Sequence, residues 1–457
     1  MALSSSKYYN NFRLLSIILG VVFGAAGIVV FLLFFEGESP VVSLEQTSDY
    51  IGKKGTIHYS ASDGKSGLRS IIIWGSQGNL NKVLHSVTFP RSSYLGKIGR
   101  AEAMETVTFD TKKEGFIDGP MSITFEARDY SLRGWLQGNK TIVNKEVTVD
   151  TVPPQLQILQ SEKYISPGGA GIAIYHIPNK KCTSGVTING RFHPGFLLGD
   201  GKPDTYISYF ALPYDAKKID SLIVSAVDLA GNEMIVPFTT TYKSSAQKTD
   251  TITLSDSFIG TKVPEFQQHY PEMKGELIDQ YLYTNTTVRD QNNKKISELC
   301  QSPLPNRLWQ GHFSRFAGSP KAGFADHRSY MYGGKIIDNQ VHLGVDIAST
   351  SRAEVRAANK GKVVFADYLG IYGNMVMIDH GQGIFSLYSH MSQMNVSPGN
   401  DVDKKSVIGL TGTTGMAGGD HLHFSMLVNG VFVMPKEWWD EHWIEVTIEA
   451  PLAQSKF

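Results

Sequence analysis

Cysteine is nearly missing from this 457-residue chain: Cys182 and Cys300 are the only two. Two thiols exclude a disulfide-stapled scaffold and a thiolate zinc module; they either pair in an oxidising compartment or stay as two free buried thiols. An excess of one charge is missing as well. Lys+Arg and Asp+Glu both number 43, the formal net charge is zero and the pI is about 7.2. No global field favours nucleic acid or an acidic polymer, so neither is expected as a partner. No H-E-x-x-H string occurs, which excludes the helical zinc-peptidase arrangement. The glycine-rich segment 411–419 lacks the Gly-Lys-Ser/Thr ending of a phosphate loop and runs into a strand pattern, so it reads as a flexible rim. What is present is 41% hydrophobic residues on a length that suits about three domains, each with its own core.

One long apolar run exists. Residues 14–35, LLSIILGVVFGAAGIVVFLLFF, carry no charge and as a helix would reach about 33 Å, enough to cross a hydrocarbon core. Lys7 and Arg13 precede it, while Glu36 and Glu38 follow. The positive-inside bias therefore keeps residues 1–13 in the cytoplasm and exports the rest, to the periplasm or otherwise outside the cytoplasmic membrane. A cleaved signal peptide is the competing reading. Ala25, Ala26 and Gly27 lie inside the apolar run, however, and no small-x-small site follows before Pro40, which favours an uncleaved, single-pass anchor.

Beyond the anchor the pattern is short strands of period two, such as TIHYSAS at 56–62, SIIIWG at 70–75 and SITFEARD at 122–129, separated by turn residues. An Ala-x-Asp, turn and Gly pattern occurs in EARDYSLRG and again in SAVDLAGNE, about one sandwich length apart. Two β-sandwich modules are expected, at 40–152 and 153–243, with Pro153-Pro154 as a stiff junction. Their patterning resembles immunoglobulin-like modules of bacterial surface proteins, and spacing is their expected role. Residues 244–304 turn polar with scattered apolar positions, as in a helical linker. Strands and glycine return in 305–450.

Eight of the 13 histidines fall in that last third. In VHLGVDIAS, His342 and Asp346 offer an imidazole and a carboxylate, a ligand mixture that zinc accepts, although a lone pair at this spacing is common. In GDHLHFSML, alternation puts His421 and His423 on one side of a strand, with Leu422 and Phe424 towards a core. They read as two ligands, or as one ligand and one group aimed at a metal-bound water; an exposed pair is the plain alternative. FSLYSHMSQ ends an alternating strand at His390. Tyr372 reads equally as a groove residue or an ordinary turn aromatic. Trp438, Trp439 and Trp443 read as core; His327, His380 and His442 stay outside the site.

The order His-x-x-x-Asp, Tyr-x-His, glycine-rich turn and His-x-His-Phe resembles the lysostaphin/LytM-type zinc metallopeptidases. The matching strings are HLGVDIA, GNMVMIDHG, LYSHM and IGLTGTTGMAGGDHLHF, within about 305–445. The resemblance implies Zn2+ held by His342, Asp346 and His423, with His390 and His421 flanking the water and the substrate carbonyl. It also implies hydrolysis of peptidoglycan peptides by zinc-activated water. Two departures stand out: Ala325 occupies the position where the family's Phe-Gly-x-Arg string has Gly, and GMAGGDH replaces the usual small-residue, Gly, Pro, His approach. The expected whole is mainly β: an N-terminal transmembrane helix, two sandwiches, a short helical linker and an antiparallel zinc-peptidase domain. The alternatives are a non-catalytic relative that regulates or recruits another wall hydrolase, and a wall-binding or adhesion protein.

Overall fold

The computed structural model describes residues 5–45, 48–92, 98–199 and 201–455; residues 1–4 of the expected cytoplasmic segment lie outside the described residues. All but the last residue of the apolar run lies in one helix, Ser5–Phe34. Its stretch Phe12–Phe31 is long and apolar enough to cross a membrane, and none of it is buried in the protein. The remainder is mainly β. The chain divides into two compact units, Met1–Pro153 with Asp228–Asn232, and Pro154–Val227 with Glu233–Phe457.

The first unit contains a three-stranded sheet (Val41–Glu45, Lys54–Ser62, Glu102–Asp110) and a five-stranded sheet built around Gly119–Asp129 and Leu68–Gln77. Alternation explains their packing: Ile57, Tyr59 and Ala61 from one sheet share a core with Ile71, Ile73, Ile123, Phe125 and Ala127 from the other. The recurring Asp has a local task. Asp129 Oδ1 accepts from Ser131 N at 3.0 Å, and Asp228 Oδ1 accepts from Ala230 N at 3.0 Å and Asn232 N at 2.9 Å, so each aspartate closes the turn after its strand.

In the second unit, residues 154–227 and 233–243 form two four-stranded sheets around a core that includes Tyr175, Val186, Phe210 and Val224. The boundary drawn at 243 does not separate compact bodies. Ile172, Ile174, Ile207 and Tyr209 leave the sandwich on its other face and join Trp309, Phe313, Tyr388 and Trp438 in one larger core. That core belongs to an eight-stranded antiparallel sheet. Its order is Ser319–Ala322, Val345–Ala348, Leu422–Val428, Ile384–Met391, Asn374–Asp379, Gly361–Tyr368 and Asp401–Val402, with Val431–Val433 beside Leu422–Val428.

Residues 244–304 are helical over Asp256–Gln267, Leu277–Tyr283 and Arg289–Leu299, and they are more than a connection. Thr249–Thr253 pairs in parallel with Asp326–Tyr332, making a three-stranded sheet with Lys335–His342. Val288, Ile296 and Cys300 are buried with Ile371, Met375 and Leu387. Sparse apolar positions suffice here because each helix buries only one stripe. Both cysteines are free thiols.

Candidate metal centre

Two sheets supply the centre. Lys335–His342, in the three-stranded sheet, ends at His342. In the eight-stranded sheet, Asp346 and His423 are direct cross-strand partners, and Ser389 faces His423 from the other side. Gly344 joins the sheets because nothing larger fits: a Cβ there would come within 2.5 Å of the His423 ring.

The three groups meet. His342 Nε2 lies 2.9 Å from Asp346 Oδ1 and 2.9 Å from His423 Nδ1, and His423 Nδ1 is 2.9 Å from the same Oδ1. The outer nitrogens fix the tautomers. His342 Nδ1 faces the Gly323 carbonyl at 2.7 Å, which can only accept, so Nδ1 carries the proton. Ser425 Oγ donates to the Leu343 carbonyl at 2.8 Å and therefore accepts from His423 Nε2–H at 3.1 Å. Two imidazole lone pairs and a carboxylate oxygen thus converge without a hydrogen between them.

His421 and His390 complete the arrangement. His421 Nδ1–H donates to the Gly419 carbonyl at 2.7 Å, leaving Nε2 3.5 Å from Asp346 Oδ1. His390 Nδ1–H donates to the Thr414 carbonyl at 2.9 Å, and its ring centroid is 4.9 Å from that of His421. His390 has φ +63°, a left-handed conformation that is costly for a non-glycine residue. Burial pushes the Asp346 carboxyl up, but when the three inward-facing imidazoles carry protons instead of a metal, His342 above all, they outweigh burial and hold the group well below its usual range. Burial, reinforced by the charges of His421 and His423, drives His390 well below the ordinary histidine value. Burial likewise lowers His423 to about 4. For His421 burial is outweighed by Asp346, and its pKa rises.

The donor set suits a small divalent cation. Nitrogen and oxygen ligands on bonds of about 2.0–2.1 Å at tetrahedral angles stand about 3.3 Å apart, so the observed triangle opens by a few tenths of an ångström to accept zinc. A second acidic trio, Glu36, Asp63 and Asp129, is arranged differently: its oxygens accept backbone N–H groups from Ser66, Gly67, Ser131 and Asn139.

The histidines open into a cavity of about 840 Å³, walled partly by Leu254, Phe258, Lys262 and Arg289 from the expected linker. Tyr372 is a wall residue: it is buried, its hydroxyl donates to Asn293 Oδ1 at 2.8 Å, and its ring centroid is 5.7 Å from that of His423. On the glycine-rich rim, Lys262 Nζ donates to the Thr413 carbonyl, and Gly415 N donates to Glu265 Oε1 at 2.6 Å. Sequence reasoning missed these contacts, and it missed Arg328, whose Nη2 lies 3.1 Å from Asp346 Oδ2. The available signal was a cation on an alternating strand, inside the GFADHRSY string. Trp438 is in the core, with Trp439 and Trp443 packed against it. His380 is buried and bonded to the Lys360 carbonyl and Ser386 Oγ, away from the centre.

Comparison with known proteins agrees with the lysostaphin-type resemblance. Residues 340–435 match Peptidase family M23. The chain is 41% identical over 96 residues to the DD-carboxypeptidase/endopeptidase Mpg of Neisseria meningitidis serogroup B, covering 21% of this chain and 22% of that protein. It is 29% identical over 167 residues to the peptidoglycan DD-endopeptidase ShyC of Vibrio cholerae, covering 36% and 33%. It is 34% identical over 109 residues to the murein hydrolase activator EnvC of Escherichia coli, covering 24% and 26%. The chain thus spans a third or less of the length of these relatives. Its C-terminal part carries an M23 peptidase domain.

Proposed function

We propose that this M23 domain is a zinc-dependent endopeptidase that hydrolyses peptide bonds of peptidoglycan, tethered outside the cytoplasmic membrane by the helix Ser5–Phe34. The observation that carries the reading is the convergence of His342 Nε2, Asp346 Oδ1 and His423 Nδ1 with every outer imidazole nitrogen already committed. Zinc held there supplies Lewis acidity, which polarises a carbonyl and makes water a better nucleophile near neutral pH. The chain's own residues do the rest. Gly323 and Ser425 aim the two ligand rings. His390 and His421, each fixed through Nδ1 by a backbone carbonyl, present Nε2 to take a proton, return it to the leaving amine and hydrogen-bond the substrate carbonyl oxygen. Tyr372 and the helix Asp256–Gln267 confine the peptide. The first sandwich, read as an immunoglobulin-like module, serves as a spacer, whereas the second, read the same way, shares the core of the M23 unit.

The EnvC relative favours a second reading, a regulator without turnover. Peptidoglycan digestion by the full chain, with fragments weighed by mass spectrometry, separates the two. The wild type should release peptide fragments and lose this activity with a chelator. His342→Ala should lose bound zinc and turnover together, whereas His390→Ala should keep zinc and lose about 10²-fold or more in turnover. Zinc binding without fragment release would favour the regulator.

A further inference from the structure

We propose that Arg328 is the positioning residue of the metal centre, pinning Asp346 so that a single carboxylate oxygen faces the imidazoles. The inference rests on the metal-centre reading above. Asp346 divides its two oxygens: Oδ1 lies 2.9 Å from His342 Nε2, 2.9 Å from His423 Nδ1 and 3.5 Å from His421 Nε2, whereas Oδ2 is held by Arg328 Nη2 at 3.1 Å. A carboxylate free to turn about Cβ–Cγ would exchange its oxygens or offer both at once. The guanidinium removes that freedom, and its fixed fork suits a carboxylate better than a rotating ammonium does.

The bond also crosses between sheets. Arg328 lies on Asp326–Tyr332, in the sheet whose next strand ends at His342, while Asp346 and His423 pair within the eight-stranded sheet. The contact therefore fixes one ligand-bearing sheet against the other at the point where the ligands must register within tenths of an ångström. On its far edge the strand is backed by Thr249–Thr253, with Asp250 opposite Arg328, so the segment expected as a linker supports the positioning strand.

The energetics point the same way. The Arg328 side chain is 16% exposed and its Nε has no hydrogen-bond partner. Burying a guanidinium with an unmet donor costs desolvation free energy that one contact does not fully return. Its value is then expected in ligand orientation more than in fold stability. Groups that orient metal ligands typically govern metal affinity by about 10–100-fold.

The test is zinc affinity of the full chain in detergent, measured by competition with a chromogenic chelator beside thermal melting of the zinc-free protein. Arg328→Gln and Arg328→Met should each bind zinc at least ~10-fold more weakly than wild type while melting within a few degrees of it. Arg328→Lys, which keeps one charge-assisted contact, should recover affinity to within about threefold of wild type. Wild-type affinity in both neutral variants overturns the proposal, as does a loss of affinity that merely follows a loss of folding. If the wild type itself binds no zinc, the metal-centre reading falls, and this inference falls with it; Arg328 alone is wrong if wild type and Arg328→Met bind equally while Asp346→Asn does not bind.

Discussion

In the first sandwich, the strand Gly119–Asp129 buries Met121, Ile123, Phe125 and Ala127 and leaves most of the residues between them partly exposed. In the second, Ala170–His176 buries six consecutive residues and Thr205–Ala211 buries all seven. Both regions are two-sheet sandwiches, but their strands face different surroundings. An alternating strand has one core; a continuously apolar one has a core on each side. AGIAIYH and TYISYFA carry Ala173, Tyr175, Tyr206 and Phe210 into the sandwich core, and Ile172, Ile174, Ile207 and Tyr209 into the core of the eight-stranded sheet. The second sandwich is thus a structural part of the peptidase unit.

Matched substitutions give the largest effect that tests this contrast. Ile174 is fully buried towards the eight-stranded sheet, and Ile174→Ala should cost about 3–4 kcal/mol through lost transfer free energy and an unfilled cavity. Ile142, on an outer face of the first sandwich, is 46% exposed, and Ile142→Ala should cost less than about 0.5 kcal/mol. Urea denaturation of both variants, followed beside zinc retention, decides the matter. Equal costs, or Ile174→Ala unfolding the sandwich while the zinc site persists, would break the comparison.

The same contrast marks what could be read in advance. The alternating strands of the first sandwich were legible because burial on one face writes period two directly into the sequence. His342, Asp346, His390, His421 and His423 were singled out by residue type, spacing and the lysostaphin-type resemblance, and the structure brings all five together. The weld between the second sandwich and the eight-stranded sheet was not read, although AGIAIYH is apolar on both faces, because an apolar run does not say which element supplies the second core. The pairing of Thr249–Thr253 with Asp326–Tyr332, and the Arg328–Asp346 contact, join positions whose proximity is created by the fold and has no local signature.

A medium-sized effect belongs to the weld. Glu437, beside Trp438, accepts from Ala170 N at 3.0 Å, and burial raises its pKa to about 8, with the Glu162 charge adding to the effect. The folded pKa lies above the unfolded one near 4.5, so the carboxyl binds more protons in the folded state between these values. Its contribution is fully present below about pH 4.5 and is lost as pH rises through about 8. Partial solvent contact reduces the full linkage, leaving about 2–3 kcal/mol. Glu437→Gln keeps an acceptor for Ala170 N without the charge. Its stability should therefore change less than that of wild type between pH 5 and 9, with the advantage appearing at the alkaline end. Parallel pH–stability curves for the two proteins would show that the seam does not hold Glu437 in its neutral form.

The smallest effect concerns backbone conformation. In the first sandwich, Gly67 occupies a left-handed position at φ +83°; in the second unit, Ala325 does so at φ +60°, where the lysostaphin-type pattern has Gly. A Cβ in this region crowds the following carbonyl and costs about 1–2 kcal/mol, part of which the greater freedom of unfolded glycine offsets. Ala325→Gly should therefore stabilise the protein by about 1 kcal/mol, read as a higher urea midpoint at unchanged slope. Zinc affinity should not change, because the contact of Ala325 with the ligand strand is its backbone N–H donating to the His342 carbonyl at 2.8 Å, which glycine retains. The same turn holds the Gly323 carbonyl against His342 Nδ1 at 2.7 Å. A variant that gained stability but lost zinc affinity would mean that the restricted backbone of Ala325 is what aims that carbonyl, and that strain at this turn is spent on orienting the ligand.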